Sequence, residues 1–207
     1  MLDVHRWVVA TLFVVSLLLL RQGIAQAASC TPANACDGSA IVGDDSCNGD
    51  NACALNSGDP TIGNESCNGD SACPQNSGTV ADLSCNGDTT CVANEGNIAR
   101  RACNGTAACF INSGNVHKKA CLGGEACQGN EGNISKKACV GDGACEGNTG
   151  NVGANSCQGV VACEDNSGKI AKKACQGDQA CRGNTLDRKK GECNGPPVNG
   201  VGVCEQL

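Results

Sequence analysis

Residues 103–120 read CNGTAACFINSGNVHKKA, and the next eighteen, 121–138, read CLGGEACQGNEGNISKKA. Numbered from the first Cys, both carry Cys at position 1, Gly at 3, Ala at 6, Cys at 7, Asn at 10, Gly at 12, Val or Ile at 14 and Ala at 18. Outward from this pair, the first Cys recurs every 18 residues from Cys67 to Cys193, in seven consecutive steps. The ends depart from the period. Cys30 to Cys47 is 17 residues, Cys47 to Cys67 is 20, and the last unit holds Pro196-Pro197 with Cys193 and Cys204 set 11 apart. Divergent ends are what the capping units of a repeat stack look like.

Eighteen residues are too few for a helical-hairpin repeat, and Gly with Asn-x-Gly in every unit breaks helices. The period predicts an all-β fold, a parallel β-helix or solenoid of about nine 18-residue coils with one disulfide per coil. Small residues at 6, 12 and 18 suit corners or inward sites, and the aliphatic at 14 packs on its counterpart in the next coil. Asn56, Asn76, Asn94, Asn112, Asn130, Asn148, Asn166 and Asn184 fall in register at position 10. Coils about 4.8 Å apart would let these amides hydrogen-bond as a ladder. The expected organisation is a signal peptide over 1–27, irregular N-terminal coils or a cap over 28–66, regular repeats over 67–192 and a C-terminal cap over 193–207.

The signal reading rests on Arg6, a mostly apolar run from Trp7 to Leu20, and Ala25-Gln26-Ala27 as a small-x-small cleavage site. The run is short of the roughly 20 apolar residues that span a bilayer, so no stable membrane insertion is expected after cleavage. An uncleaved anchor is the competing reading. A lipidated Cys30 would leave an odd number of cysteines. All twenty cysteines follow the signal: Cys30, Cys36, Cys47, Cys53, Cys67, Cys73, Cys85, Cys91, Cys103, Cys109, Cys121, Cys127, Cys139, Cys145, Cys157, Cys163, Cys175, Cys181, Cys193 and Cys204. An even, dense count in an exported chain reads as disulfides, and the localisation as secreted. Past the signal, Phe110 is the sole aromatic residue. Covalent staples must then stand in for a large apolar core. Two regular pairings are open: position 1 to position 7 within a unit, or equivalent cysteines of neighbouring units. The first gives every unit the same bond and is preferred. The close Cys spacings of metal sites are missing, and neither metal nor cofactor is expected.

The C-x5-C unit resembles the beetle antifreeze solenoids, whose coils carry cysteines at this separation, bridged within the coil. The resemblance covers the cysteine spacing and implies a disulfide-stapled solenoid. Those proteins have shorter coils and a Thr-Cys-Thr ice-binding array, whereas Cys103 is flanked by Ala102 and Asn104, and Cys139 by Ala138 and Val140. Position 11 offers a mixed column of Ser57, Ser77, Glu95, Ser113, Glu131, Thr149, Ser167 and Thr185, so no strong thermal hysteresis is expected. Asp50, Asp70, Asp88, Asp142 and Asp178 at position 4 resemble the Asp column of calcium-binding nonapeptide repeats, which carry their motif twice per coil. Turn chemistry from Asn-Gly and Gly-Asp is the simpler account.

Charge divides the chain. Residues 30–95 hold ten acidic side chains and no Lys or Arg, whereas residues 96–207 hold 13 basic and 10 acidic ones. The basic residues recur at positions 16 and 17: Arg100, Arg101, Lys118, Lys119, Lys136, Lys137, Lys172 and Lys173, with one gap at Ala154-Asn155. A stripe of like charge suits an anionic polysaccharide or an extracellular surface. It also serves as a solvated edge that resists aggregation. Net negative charge and scarce aromatics argue against nucleic acid. No catalytic motif occurs, and His117 stands without a partner in the sequence, so no enzymatic activity is expected. Sequons fall at Asn64, Asn104 and Asn133. The leading expectation is a secreted structural or surface-binding repeat protein of a matrix, wall or coat. An ice-binding solenoid is the alternative, and a calcium-dependent adhesion module the third.

Overall fold

The computed structural model describes residues 30, 33–36, 41–57, 60–195 and 204. The signal segment, its cleavage site and Pro196-Pro197 lie outside the described residues. What is described is mostly turn and irregular chain with almost no helix. A 3-10 turn spans Ala33–Cys36. Two strands, β1 (Ile41–Val42) and β2 (Thr61–Ile62), pair in parallel. Beyond them, single parallel bridges repeat at the sequence period. One line runs Ile62, Val80, Ile98, Val116, Ile134, Val152, Ile170, Arg188, and a second runs Asn104, Leu122, Val140, Gln158, Gln176. Each unit is therefore hydrogen-bonded to the next in register.

Strands stay this short because the backbone alternates. In the unit from Cys103, φ is positive at Cys103 (52°), Gly105 (138°), Ala107 (53°) and Ile111 (54°), and at Arg101 (60°) just before it. A strand keeps φ negative at every residue. With every second residue reversed from 101 to 107, most N–H groups turn toward one neighbouring unit: Arg101 donates to the Asp82 carbonyl, Gly105 to Asn86 and Ala107 to Asp88, at 3.0–3.1 Å. Non-glycine residues rarely adopt this conformation. Here it recurs with the period, so inter-unit hydrogen bonds and staples hold it.

Disulfides join position 1 to position 7 within each unit, from Cys47–Cys53 and Cys67–Cys73 to Cys175–Cys181, with Cα separations of 5.5–5.8 Å. Cys30–Cys36 and Cys193–Cys204 complete the set of ten. Chain-entropy arithmetic gives about 2.4 kcal/mol for so short a loop. The core they line is narrow. Among the described residues, Ala at 6, Gly at 12 and Ser or Ala at 18 are buried where they occur and mark three inward sites, with Thr90, Leu186 and Glu192 departing from the pattern. At position 14, Ile62, Val80, Ile98, Val116, Ile134, Val152 and Ile170 are buried and alternate strictly between the larger and the smaller side chain.

The buried Asn column forms the ladder. Asn94 Nδ2 donates to Asn76 Oδ1, and the link repeats at 2.7–2.8 Å through Asn112, Asn130, Asn148 and Asn166 to Asn184. The second Nδ2 hydrogen of each satisfies the carbonyl two residues on, as Asn130 does for Gly132 at 2.8 Å. Every amide points the same way along the stack. The last oxygen, Asn184 Oδ1, accepts from Arg188 Nε at 2.6 Å. Arg188 takes the place of the aliphatic at position 14, and its charge meets the negative end of the amide row.

Candidate functional site

Positions 16 and 17 form one edge of the stack, held in register by the backbone. Lys119 N donates to the Arg100 carbonyl at 3.3 Å, Lys137 N to Lys118 at 3.2 Å, Asn155 N to Lys136 at 3.1 Å and Lys173 N to Ala154 at 3.1 Å. The pairs Arg100-Arg101, Lys118-Lys119 and Lys136-Lys137 thus occupy consecutive rungs, and Lys172-Lys173 follows after the gap. Lys119 is half-buried and the other seven are exposed. Position 17 has positive φ at Arg101, Lys119, Lys137 and Lys173. Among the described residues the one ion pair is Arg182–Glu164, at 2.8 Å, on a different face. Within the described residues the cations of the edge are therefore not neutralised.

Beside this row runs position 2. Asn104 Nδ2 donates to the Leu83 carbonyl at 3.1 Å, Gln158 Nε2 to Lys137 at 3.2 Å and Asn194 Nδ2 to Lys173 at 3.1 Å. These amides satisfy carbonyls that the positive-φ residues leave pointing outward. Leu122 and Val140 replace them in two central units. Between the columns lies a shallow groove lined by Leu83, Asn86, Arg101, Asn104, Lys119 and Leu122. It pairs apolar and amide surface with guanidinium and ammonium groups, and is open along its length.

The other sequence candidates occupy structural posts. At position 4, Oδ1 of Asp70, Asp88, Asp142 and Asp178 accepts a backbone N–H from the preceding unit, at 2.8–3.1 Å. Position 13 behaves alike: Asn97, Asn115, Asn133 and Asn151 each accept an N–H from the unit before, at 3.0–3.1 Å. The Asp column at position 4 is visible in the sequence, with turn chemistry as its simpler account, but its bonds to the preceding unit were missed, and so was the whole position 13 column, although Asx residues at a fixed period were its signal. Of the sequon residues, Asn64 accepts from Asp44 N at 2.9 Å, and Asn104 accepts from Asn86 N at 3.0 Å while donating to Leu83. Asn133 is exposed on the position 13 column. His117 is also exposed, beside that column in a shallow groove with Thr79, Asn97 and Asn115. The position 11 side chains from Ser57 to Thr185 are all exposed.

Elsewhere a carboxylate group gathers around Glu146. Burial first, then the charges of Glu125, Glu164 and Asp165, push its carboxyl above the usual range. Arg182 answers Glu164 alone.

No helix among the described residues is long and apolar enough to cross a membrane. The many disulfides fit an extracellular protein. No curated protein and no solved structure matches the chain. One family model, described as "Domain of unknown function (DUF7640)", matches it twice, over residues 20–108 and 101–205. With a double match across most of its length and a cysteine-rich unit repeated every 18 residues, the chain belongs to the DUF7640 family.

Proposed function

We propose that this chain is a secreted, non-enzymatic β-solenoid of an extracellular matrix, wall or coat, and that it engages anionic polymers through its basic edge. The observation that carries the reading is the row of eight cations, in backbone register and outside any ion pair of the described residues. Each exposed contact is weak and is screened within about 8 Å at physiological salt. Repetition along a linear polyanion converts such contacts into avidity. The groove beside the row adds apolar surface, at Leu83 and Leu122, on which a sugar ring can rest. Ten in-chain staples support an extracellular setting, and the stacked units with parallel bridges support the solenoid, an architecture in keeping with the beetle antifreeze type.

The test is binding to a sulfated polysaccharide across a salt series. Affinity should fall steeply with salt. Replacing Lys118, Lys119, Lys136 and Lys137 by Ser should abolish binding with the melting curve unchanged, since three of these side chains are exposed and the fourth is half-buried. Equal binding by that variant, or none by the wild type at low salt, would overturn the reading.

A further inference from the structure

The basic rungs are only part of their edge. Counted back from the following Cys, positions 16 and 17 of the first units are Asp44-Asp45, Asn64-Glu65 and Asp82-Leu83. The same backbone ladder carries them. Glu65 N donates to the Asp44 carbonyl at 2.8 Å, Leu83 N to Asn64 at 2.9 Å and Arg101 N to Asp82 at 3.1 Å. Six consecutive rungs thus lie in one column. Three are acidic (44/45, 64/65, 82/83) and three basic (100/101, 118/119, 136/137). Asp44, Asp45, Glu65 and Asp82 are exposed, and none is in an ion pair within the described residues.

We propose that this edge is a self-complementary interface, on which a second copy of the chain docks antiparallel. A two-fold axis between rungs 82/83 and 100/101 matches every rung with one of opposite sign: Asp82 with the partner's Arg100, Glu65 with the partner's Lys118 and Lys119, and Asp44 and Asp45 with the partner's Lys136 and Lys137. The symmetry repeats each match in the other direction, as an isologous contact requires. The six rungs cover five steps of about 4.8 Å, an overlap of about 24 Å. Edges laid parallel and in register would set like charges opposite each other and repel. The charge order therefore selects one orientation and one register. Lys172 and Lys173 fall beyond the overlap and stay open in the dimer. The proposal shares its basic rungs with the polyanion reading but does not need a polymer.

Two charge-reversed variants test it by sedimentation. The first carries Asp44→Lys, Asp45→Lys and Glu65→Lys. The second carries Lys118→Glu, Lys119→Glu, Lys136→Glu and Lys137→Glu. Both should fold, because Lys119 and Lys137 (φ 60° and 58°) already hold the conformation of Asp45 and Glu65 (φ 54° and 55°). The wild type should be dimeric at low salt and monomeric at high salt. Each variant alone should be monomeric at low salt, and an equal mixture should form a heterodimer, because every rung then meets an opposite charge. Zero-length carbodiimide coupling of the wild type should join Glu65 to Lys118 or Lys119, and Asp44 or Asp45 to Lys136 or Lys137, between copies. A monomeric wild type at low salt, a dimer that survives in either variant, or coupling in another register would overturn the proposal. The first variant should still bind a sulfated polysaccharide, so loss of self-association and loss of polyanion binding are read separately.

Discussion

Single residues in this stack serve through the unit above or below them. Glu146 shows the cost of a misplaced charge. Its carboxyl is held above the usual carboxylate range by burial and by Glu125, Glu164 and Asp165. As pH rises through the window between the unfolded value, about 4.3, and the raised folded value, the unfolded chain gives up a proton that the folded chain keeps. Stability therefore falls across that window. Glu146→Gln should raise the melting temperature at neutral pH, and the gain should vanish at pH 3, where both states hold the proton. A lower melting temperature at neutral pH would show that the charge is instead stabilising.

At the scale of one unit, the close approach of backbones decides which glycines are replaceable. A Cβ on Gly132 would overlap the carbonyl oxygen of Gly150 and lie 2.6 Å from its carbon. Gly129 has positive φ (64°) but nothing within 4 Å of its Cβ position, and Ala93 holds the same position two units earlier with φ 51°. Gly132→Ala should cost about 1–3 kcal/mol, as overpacking does, and Gly129→Ala much less; thermal melts of the two variants make the comparison. The unit was legible in sequence wherever side-chain type alone sets the role. The half-cystine period, the Asn at 10 and the aliphatic at 14 are of that kind. Left-handed backbone at Cys103, Arg101 or Ile111 was not legible, because residues that rarely adopt it are held there by bonds to the next unit. The side columns at 2 and 13 were hidden by mixed composition, and the Asp column at 4, visible as a column, did not disclose its bonds to the preceding unit. The acidic half of the charged edge was hidden by spacing: Ser57 aligns with Ser77 while Thr61 aligns with Thr79, so the two extra residues of that unit fall between Ser57 and Thr61 and shift the count.

Across the whole molecule, the bridges and backbone hydrogen bonds described between units link each one to the units beside it, so stability should accumulate interface by interface. Removal of the single unit Cys121–Ala138 would leave the disulfides, the Asn row and the backbone ladder in register, yet set Val116 against Val152. In the intact chain Val152 sits between Ile134 and Ile170. The double exchange Val152→Ile with Ile170→Val should therefore destabilise the full-length protein, because it sets an isoleucine against Ile134 and overfills that layer. In the shortened chain the same exchange restores the alternation with Ile98 and Val116 and should stabilise by about 1 kcal/mol, the usual worth of one buried methylene at an Ile/Val site. Denaturant melts of the four proteins read the reversal, and the same sign in both backgrounds would sink it. The alternation of Ile and Val along position 14 then has a historical consequence. A gene that gains or loses one repeat inherits a packing fault, whereas one that gains or loses two does not. Lineages of this chain should differ in length by even numbers of repeats, and odd-numbered relatives should carry a compensating exchange at the seam.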